Sequence, residues 1–367
     1  MNSTLASLIN IPLLFLVYVM AYFTQSLSGK RQFYGVSLNS DYFKKKEFKS
    51  LDEKFKILLT IGFFVFTLIT LIIIYMFNAY ITSSIVPILG FIMYQFIVFV
   101  YIHNQVKALK KELSLEIKDL ELEKTKMILD TDFLNQKNKI VKKYSILCAI
   151  PLVITLLVCI YTASKYNSMP DIIPTHWGIS GEPDAYSQKS FSTVFGVIFM
   201  SILAGLIIYF SSILSLKARA KLNTDNVNES KKLHLDYLNK MSITFLLLNL
   251  SIALLFIESL IAMVNSSNLN LFTMIFATTL LIVSSIYQVY LYYKSPSKSK
   301  NAVYSIDDND DNWLFGSIYN NPNDPSLFVQ KRFGVGWTVN IGTTKGKLIF
   351  LSPFVLIIVV LVITFNI

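Results

Sequence analysis

The side chains best suited to chemistry lie in one connection between hydrophobic segments, Met169–Lys189. It holds His176, one of three histidines, together with the carboxylates of Asp171, Glu182 and Asp184. Imidazole and carboxylate groups bind divalent metals, but zinc sites usually repeat His or Cys at a fixed spacing. One histidine among scattered carboxylates lacks that repetition. The sequence therefore predicts no metal site and leaves metal binding here as the less favoured alternative.

The same connection has the composition of a shaped binding surface. Its prolines fix φ and favour extended or turn geometry, and its glycines allow turns. Pro170, Ile172, Ile173 and Trp177 offer an apolar ridge, so recognition of a ligand is the favoured interpretation. The predicted ligand-binding residues are Pro170, Asp171, Pro174, Thr175, His176, Trp177, Gly181, Pro183, Asp184 and Lys189. The alternative is that Trp177 and Tyr186 only anchor the connection at a membrane interface.

A second candidate is Glu258, the one acidic residue inside a predicted membrane span. A carboxylate in lipid is costly, which makes it a functional candidate by default. Two alternatives stay open. Glu258 could serve a proton- or ion-coupled transporter, or it could be a protonated acid hydrogen-bonded to Ser259, Gln288 or Gln95 on neighbouring helices.

The elements that must position these residues are membrane helices. The chain is 53% hydrophobic and only 15% charged, which is typical of integral membrane proteins. Eight stretches have the roughly 20 apolar residues that a bilayer span needs, near 5–24, 57–77, 84–103, 144–163, 191–216, 241–264, 271–293 and 348–366. We expect an all-α polytopic membrane protein with about eight transmembrane helices and the lipid bilayer as its first partner.

The basic residues predict the orientation of these helices. Of the 33 Lys and Arg residues, all but Lys165 and Lys189 fall in the connections 25–56, 104–143, 217–240 and 294–347. Basic connections stay inside. We therefore expect a multi-pass membrane protein with both termini outside and Met169–Lys189 facing the exterior. The same rule explains the net charge of +10 without direct nucleic-acid binding.

Two of the predicted cytoplasmic connections carry structure of their own. In 104–143, apolar residues recur at seven-residue intervals, which indicates one stripe on a helix: Val106, Leu113, Leu120, Met127 and Leu134. Asp130 can cap a second helix that runs into the fourth span. A helical hairpin packed on the bundle or on itself is favoured over a coiled coil that docks a partner.

The connection 294–347 contains an acidic run, Asp307–Asp311, and then a small β module at 313–342, which we call the C-terminal module. The run lacks the Gly and Glu of an EF-hand and is interpreted as a solvated linker facing lysines. The module is too small to bury its aromatics alone, so we expect it to dock on the bundle. Its candidate residues are Trp313, Gly316, Tyr319, Asn321, Pro322, Asp324, Pro325, Lys331, Arg332, Gly334, Gly336, Trp337 and Asn340. Lys331 and Arg332 could touch anionic headgroups.

No nucleotide-binding loop, metalloprotease motif or nucleophile elbow occurs, so the sequence predicts a non-enzyme without cofactor or metal. The predicted domains are an N-terminal three-helix membrane region at 1–103, a cytoplasmic helical insertion at 104–143, a helix pair at 144–216 with an extracellular connection at 164–190, membrane helices six and seven at 217–293, a cytoplasmic linker and β module at 294–347, and a last membrane helix at 348–367.

The order of residues in the extracellular connection resembles a bacterial family of unknown function that includes the SdpI-type immunity proteins. The matching residues are Met169-Pro170-Asp171, Ile173-Pro174-Thr175-His176-Trp177, Gly181-Glu182-Pro183-Asp184 and Ser187 with Lys189. The resemblance covers the fourth and fifth spans and their connection. It implies a location in the bacterial plasma membrane and protection against a secreted antimicrobial peptide, with a cytoplasmic transcriptional repressor as a further partner. The C-terminal module looks like a second, uncharacterised module.

We therefore expect a sensor or immunity-type membrane protein that binds a secreted peptide or envelope component and signals to a cytoplasmic regulator. The alternative from another class is a proton- or ion-coupled transporter that uses Glu258 and His176. A third hypothesis is a metal-assisted hydrolase at the outer connection.

Overall fold

The computed structural model describes residues 3–28, 31–38, 40–113, 130–178, 180–218, 220, 222, 226–296, 309–334 and 336–352. Its helices are α1 (Ser3–Tyr22), α2 (Lys46–Phe77), α3 (Tyr80–Glu112), α4 (Thr131–Ser164), α5 (Phe191–Lys217), α6 (Val227–Asn265) and α7 (Leu271–Tyr293). Within these ranges six helices, α2 to α7, are long and apolar enough to cross a membrane, and α1 contains a shorter apolar stretch. The expectation of a mostly helical membrane protein is thus confirmed.

Each of helices α1 to α7 contains all or most of one of the first seven predicted spans. The eighth span, 348–366, starts within a helical segment at 344–352, and its remainder lies outside the described residues. The centre of the predicted insertion, with Leu120 and Met127, lies outside them as well. So do Asp307 and Asp308 of the acidic run.

Several helices extend well past their apolar spans. Helix α4 begins at Thr131 because the Asp130 carboxylate caps it, accepting a hydrogen bond from the Phe133 N–H at 2.9 Å. Lys231 on α6 pairs with the same carboxylate. The second helix of the predicted insertion therefore does run into the fourth span, and the described residues of the first, up to 113, belong to the polar end of α3.

The described residues contain four antiparallel strand pairs: β1 (Gln32–Phe33) with β2 (Val36–Ser37), β3 (Ile172–Trp177) with β4 (Pro183–Gln188), β5 (Trp313–Leu314) with β6 (Ile318–Tyr319), and β7 (Phe328–Gln330) with β8 (Trp337–Val339). The last two pairs form the predicted C-terminal module. The connection that forms β3 and β4 was predicted as a stiff binding surface without strands, and the β1–β2 pair was not predicted at all. Its turn consists of Tyr34 and Gly35, with φ of 46° and 77°. Asn-Gly is the usual sequence for a turn with two positive φ angles, so a turn that begins with tyrosine is not recognised from sequence.

The chain divides into two compact units. Unit 1 comprises Met1–Lys126 and Lys298–Phe350, and unit 2 comprises Met127–Ser297 and Leu351–Ile367. Unit 1 therefore holds α1 to α3, the β1–β2 hairpin and the C-terminal module. Unit 2 holds α4 to α7 and the β3–β4 hairpin. The module belongs with the N-terminal helices although nearly 200 residues of sequence separate them.

Close approach and polar pairs join the helices of unit 1. A Cβ at Gly62 on α2 would lie 2.1 Å from the Tyr94 ring of α3, so only glycine fits there. On α1, Asn10 donates to the Ser83 hydroxyl and accepts from the Ser84 hydroxyl, each at 2.8 Å. Small residues and interhelical hydrogen bonds are the contacts that associate helices in lipid, where apolar burial gives little driving force.

The core of unit 2 includes the base of the β3–β4 hairpin. Its buried members are Cys159, Met169, Ile173, Val194, Ile198, Leu260 and Met263, contributed by α4, the hairpin, α5 and α6. Ile173 is completely buried. The hairpin is therefore packed onto the helix ends and is not a free loop.

Candidate functional site

Lys189 closes the base of the β3–β4 hairpin. Its backbone N–H donates to the Asp171 carbonyl at 2.7 Å, and its ammonium donates to the Met169 carbonyl at 2.7 Å. The Asp171 carboxylate lies 3.9 Å from that ammonium but is fully exposed, whereas the Lys189 side chain is largely covered. Lys189, predicted as a ligand-binding residue, is thus placed to hold the hairpin together.

The tip of the hairpin is fixed to the connection between α6 and α7. The Trp177 indole N–H donates to the Ser267 carbonyl at 3.0 Å, and the Leu269 N–H donates to the Gly181 carbonyl at 2.8 Å. Gly181 has φ of 79°, and a Cβ there would approach the Leu269 carbonyl to 3.0 Å, so both conformation and space favour glycine. The indole N–H of Trp177 is used by the protein, which weakens its interpretation as an interfacial anchor.

Successive residues of β3 point to opposite faces of the hairpin, but burial does not alternate strictly, because both Ile173 and Pro174 are buried. Ile173 faces the helices and is buried, while Ile172 is 62% exposed and Tyr186 is 58% exposed. The apolar ridge expected from sequence is therefore divided between the core and the surface. Pro174 is buried opposite Tyr186.

The exposed polar feature of the hairpin is a pair between its two strands. His176 Nδ1 lies 2.5 Å from Asp184 Oδ1, and both side chains remain more than half exposed. The pair presents a hydrogen-bonded imidazole and carboxylate to solvent and could supply two metal ligands. Among the residues that the structure describes, no group of three or more His, Cys, Asp or Glu could hold a metal ion.

The structure brings the predicted ligand-binding residues together in one hairpin but gives them different environments. Pro170, Asp171, His176 and Asp184 are exposed, Thr175, Trp177, Pro183 and Lys189 are half-buried, and Pro174 and Gly181 are buried. The exposed members are the ones available to a ligand. The buried members explain the shape and rigidity of the hairpin.

Glu258 has a different partner from those expected. Its carboxylate accepts a hydrogen bond from the Asn270 backbone N–H at 2.6 Å, and Asn270 in turn caps α7 by accepting from the Thr273 N–H at 3.1 Å. Ser259, one expected partner, donates to the Leu255 carbonyl instead. Glu258 thus ties α6 to the connection on which the hairpin tip is fixed.

In unit 1, the asparagines of the C-terminal module form hydrogen bonds within the module. Asn340 is fully buried, donates to the carbonyls of Asn321 and Asp324 at 2.8 and 2.9 Å, and accepts from the Asn321 N–H at 3.0 Å. The Tyr319 hydroxyl donates to the Asp324 carboxylate at 3.0 Å. These buried polar groups are hydrogen-bonded to one another, in a module whose apolar core is small. Among the other candidates, Pro322, Pro325 and Lys331 are exposed, and Gly336 and Trp337 are half-buried.

A buried charge cluster connects the module to the rest of unit 1. Asp310 accepts from Arg332 at 2.5 Å, from Lys110 on α3 at 2.6 Å, and from the Ser37 N–H at 3.0 Å. Burial by itself would raise the pKa of Asp310, but the positive charges of Arg332 and Lys110 outweigh it and lower that pKa. Asp310, whose side chain is 14% exposed, is therefore a largely covered ionic partner, not part of a solvated linker as expected.

Arg332 also differs from its expectation. Its side chain is 1% exposed, its guanidinium donates to the Gly35 carbonyl at 3.0 Å, and it lies over the Trp313 ring at 4.9 Å. An arginine enclosed in this way cannot contact lipid headgroups. Only its exposed neighbour Lys331 stays available for that role.

Phe333 inserts into the core of α2, α3 and the β1–β2 hairpin. Its ring stacks on Phe99 with a centroid distance of 4.2 Å and on Tyr34 at 5.6 Å, and it meets Phe55 edge-on at 6.1 Å. The next residue, Gly334, donates its N–H to the Ser28 hydroxyl at 2.9 Å. The aromatic burial that the small module lacks is thus provided by docking, as predicted.

Two turns meet at the centre of this interface. A Cβ at Gly35 would lie 2.4 Å from the Gly316 carbonyl oxygen, and a Cβ at Gly316 would lie 2.4 Å from Nδ1 of His103. That same nitrogen lies 2.8 Å from the Tyr34 carbonyl. Sequence reasoning missed His103, Tyr34 and Gly35. The available signal was the aromatic-glycine pair in each turn, Tyr34-Gly35 and Phe315-Gly316.

The six apolar helices fit a multi-pass membrane protein. Comparison with known families finds a domain of unknown function, DUF1648, over residues 153–202, which include the end of α4, the β3–β4 hairpin and the start of α5. A family of unknown function, DUF5808, matches residues 322–347, which cover most of the C-terminal module and the five residues after it. Both are membrane-associated families. Comparisons with curated proteins and with solved structures find no match.

Proposed function

We propose that this chain is a sensor or immunity-type protein of the bacterial plasma membrane that recognises a secreted peptide or envelope component through the β3–β4 hairpin. The supporting observation is that the hairpin is fixed at base and tip yet exposes Ile172, Tyr186 and the His176–Asp184 pair. A surface held in place binds with less loss of conformational entropy than a free loop. The resemblance to SdpI-type immunity proteins agrees with this role.

The positive-inside rule supports the topology that this function needs. With eight spans and both termini outside, the hairpin faces the exterior and the C-terminal module faces the cytoplasm. The module would then be the part that reports to a cytoplasmic regulator such as a transcriptional repressor. Recognition and signalling of this kind require no catalytic chemistry, so we propose that the protein is not an enzyme.

The proposal predicts that His176→Ala strongly reduces protection. Cells expressing the wild type, challenged with a panel of secreted antimicrobial peptides, should tolerate roughly tenfold more peptide than cells expressing the variant, the effect of losing one charge-assisted contact. The measurement is the inhibitory peptide concentration at matched membrane levels of both proteins. Because His176 is exposed, its truncation should leave the fold intact.

A matched control is Asp236→Asn, which removes an exposed ion pair elsewhere in unit 2. Asp236 pairs with Lys240 within α6 at 2.6 Å, and both side chains are about half exposed. This variant should protect as well as the wild type. Equal protection by the wild type and His176→Ala, or no protection against any peptide, would refute the proposed role of the hairpin.

The transporter alternative is tested by Glu258→Gln. The amide oxygen of glutamine can still accept from the Asn270 N–H, so we expect the connection between α6 and α7, and peptide protection, to be preserved. A proton-coupled transporter would lose its ionisable group and its activity. The measurement compares protection with proton-driven uptake in vesicles, and loss of protection in this folded variant would favour the alternative.

A further inference from the structure

The backbone of β4 has an open edge. Lys189 donates its N–H to the Asp171 carbonyl at 2.7 Å, which makes these two residues a hydrogen-bonded pair. Bonded and non-bonded pairs alternate in an antiparallel ladder, so Tyr186 and Pro174, three positions further along, form a non-bonded pair. The N–H and C=O of Tyr186 therefore point away from β3, toward the outer edge of β4.

The two edges of this small sheet are not equivalent. The β3 edge lies against α6, and Pro174 has no N–H to offer a further strand. After Pro183, the β4 sequence Asp-Ala-Tyr-Ser-Gln contains neither proline nor lysine, the residues with which proteins commonly protect an edge. Asp184 and Tyr186 are more than half exposed. The Gln188 carbonyl accepts a hydrogen bond from the Thr193 hydroxyl at 3.4 Å, so the part of the β4 edge that remains able to pair is centred on Tyr186.

The charge around this edge is negative in a chain whose net charge is +10. The segment 178–188 holds Glu182 and Asp184 and no lysine or arginine. The nearest cation along the chain, Lys189, directs its ammonium to the Met169 carbonyl at 2.7 Å. A cationic strand would therefore complement the β4 edge, whereas two copies of this edge would bring like charges together.

We propose that a cationic peptide binds the β4 edge in an extended conformation and adds a third strand to the β3–β4 hairpin. This inference rests on the proposed function and names the ligand class of the same site. Main-chain hydrogen bonds would supply affinity, and contacts to alternate side chains would supply selectivity. Ile172 and Tyr186, exposed on the outer face, are the apolar groups available for those contacts.

The test measures binding of a synthetic peptide of four Lys-Val repeats to the full-length protein in phosphatidylcholine nanodiscs, with empty nanodiscs as the blank. Tyr186→Pro removes the outward N–H at a position where a strand tolerates proline, and Tyr186→Ala retains that N–H. We expect Tyr186→Pro to weaken binding roughly tenfold and Tyr186→Ala to weaken it less than about threefold. A peptide N-methylated at both its lysines and its valines, in which neither backbone edge can donate, should bind roughly tenfold more weakly to the wild type, and a Glu-Val peptide should not bind.

Undiminished binding of the N-methylated peptide would overturn the inference, and this result does not depend on the folding of any variant. Dimerisation of the peptide-free protein through Tyr186, abolished in Tyr186→Pro, would assign the edge to a second copy and also overturn it. Survival assays separate the two proposals. If His176→Ala loses protection and a folded Tyr186→Pro keeps it, edge pairing fails while the recognition role stands. If both keep it, the recognition role fails.

Discussion

Gly35→Ala is expected to release the C-terminal module from the rest of unit 1. The added Cβ would lie 2.4 Å from the Gly316 carbonyl oxygen, and both partners are backbone that no rotamer change can move aside. Alanine would also be strained at φ of 77°. We expect the free energy of local unfolding of the module to fall by roughly 3 kcal/mol or more. Hydrogen–deuterium exchange of peptides from 313–347 in nanodiscs measures this change.

Gly336→Ala is the matched control for Gly35→Ala. Gly336 also has a positive φ, 106°, but no atom of the described residues lies within 4 Å of the position that a Cβ would take there, so only conformational strain is added. This variant should lose about 1–2 kcal/mol. An equal loss in the two variants would show that the contact between Gly35 and Gly316 does not hold the module, and unchanged exchange in Gly35→Ala would contradict the docked arrangement.

The second large effect is expected at Asp310. Asp310→Asn leaves Arg332 buried without its anionic partner, and breaking a buried ion pair from one side costs about 3–5 kcal/mol. The wild type should show a related pH dependence. Because the folded pKa of Asp310 is lowered, its contribution is complete above the unfolded value of about 4 and is lost as the pH falls through the folded pKa.

The measurement is again exchange protection of the module, followed from neutral pH to below pH 4. Wild-type protection should fall on acidification, and Asp310→Asn should start lower and change less. Asp311→Asn is the control, because Asp311 is the adjacent carboxylate and is exposed. It should behave as the wild type does. Matching acid profiles for the wild type and Asp310→Asn would remove Asp310 as the ionic partner that holds the module.

Local signals were sufficient for the helices and for the strands of the C-terminal module, but not for the β1–β2 and β3–β4 hairpins. Long apolar runs identified α1 to α7, and Asp130 marked the start of α4 because a cap acts within one turn of sequence. Alternation and turn chemistry located the strands of the C-terminal module. The β1–β2 hairpin escaped because each strand has two residues and its turn uses Tyr34-Gly35.

Partners distant in sequence were not predictable from such signals. Arg332 looked like a membrane-surface cation, and Asp310 looked like part of a solvated acidic run, because each residue alone is strongly polar. Their pairing depends on Lys110 and Gly35, more than 190 residues away. Glu258 was recognised as unusual in a membrane span, but its bond to the Asn270 N–H follows from how the connection after α6 folds back.

The sequence by itself determined that this is a helical membrane protein, because hydrophobic length and basic connections act locally and need no knowledge of neighbours. It also determined which connection is stiff and carries His176. Only the tertiary structure decided which side chains of that connection face solvent, since Ile172 and Ile173 are chemically alike and differ only in the face they occupy. It likewise decided that Asp310 and Arg332 are internal, because burial of charge is set by the partners that folding brings together.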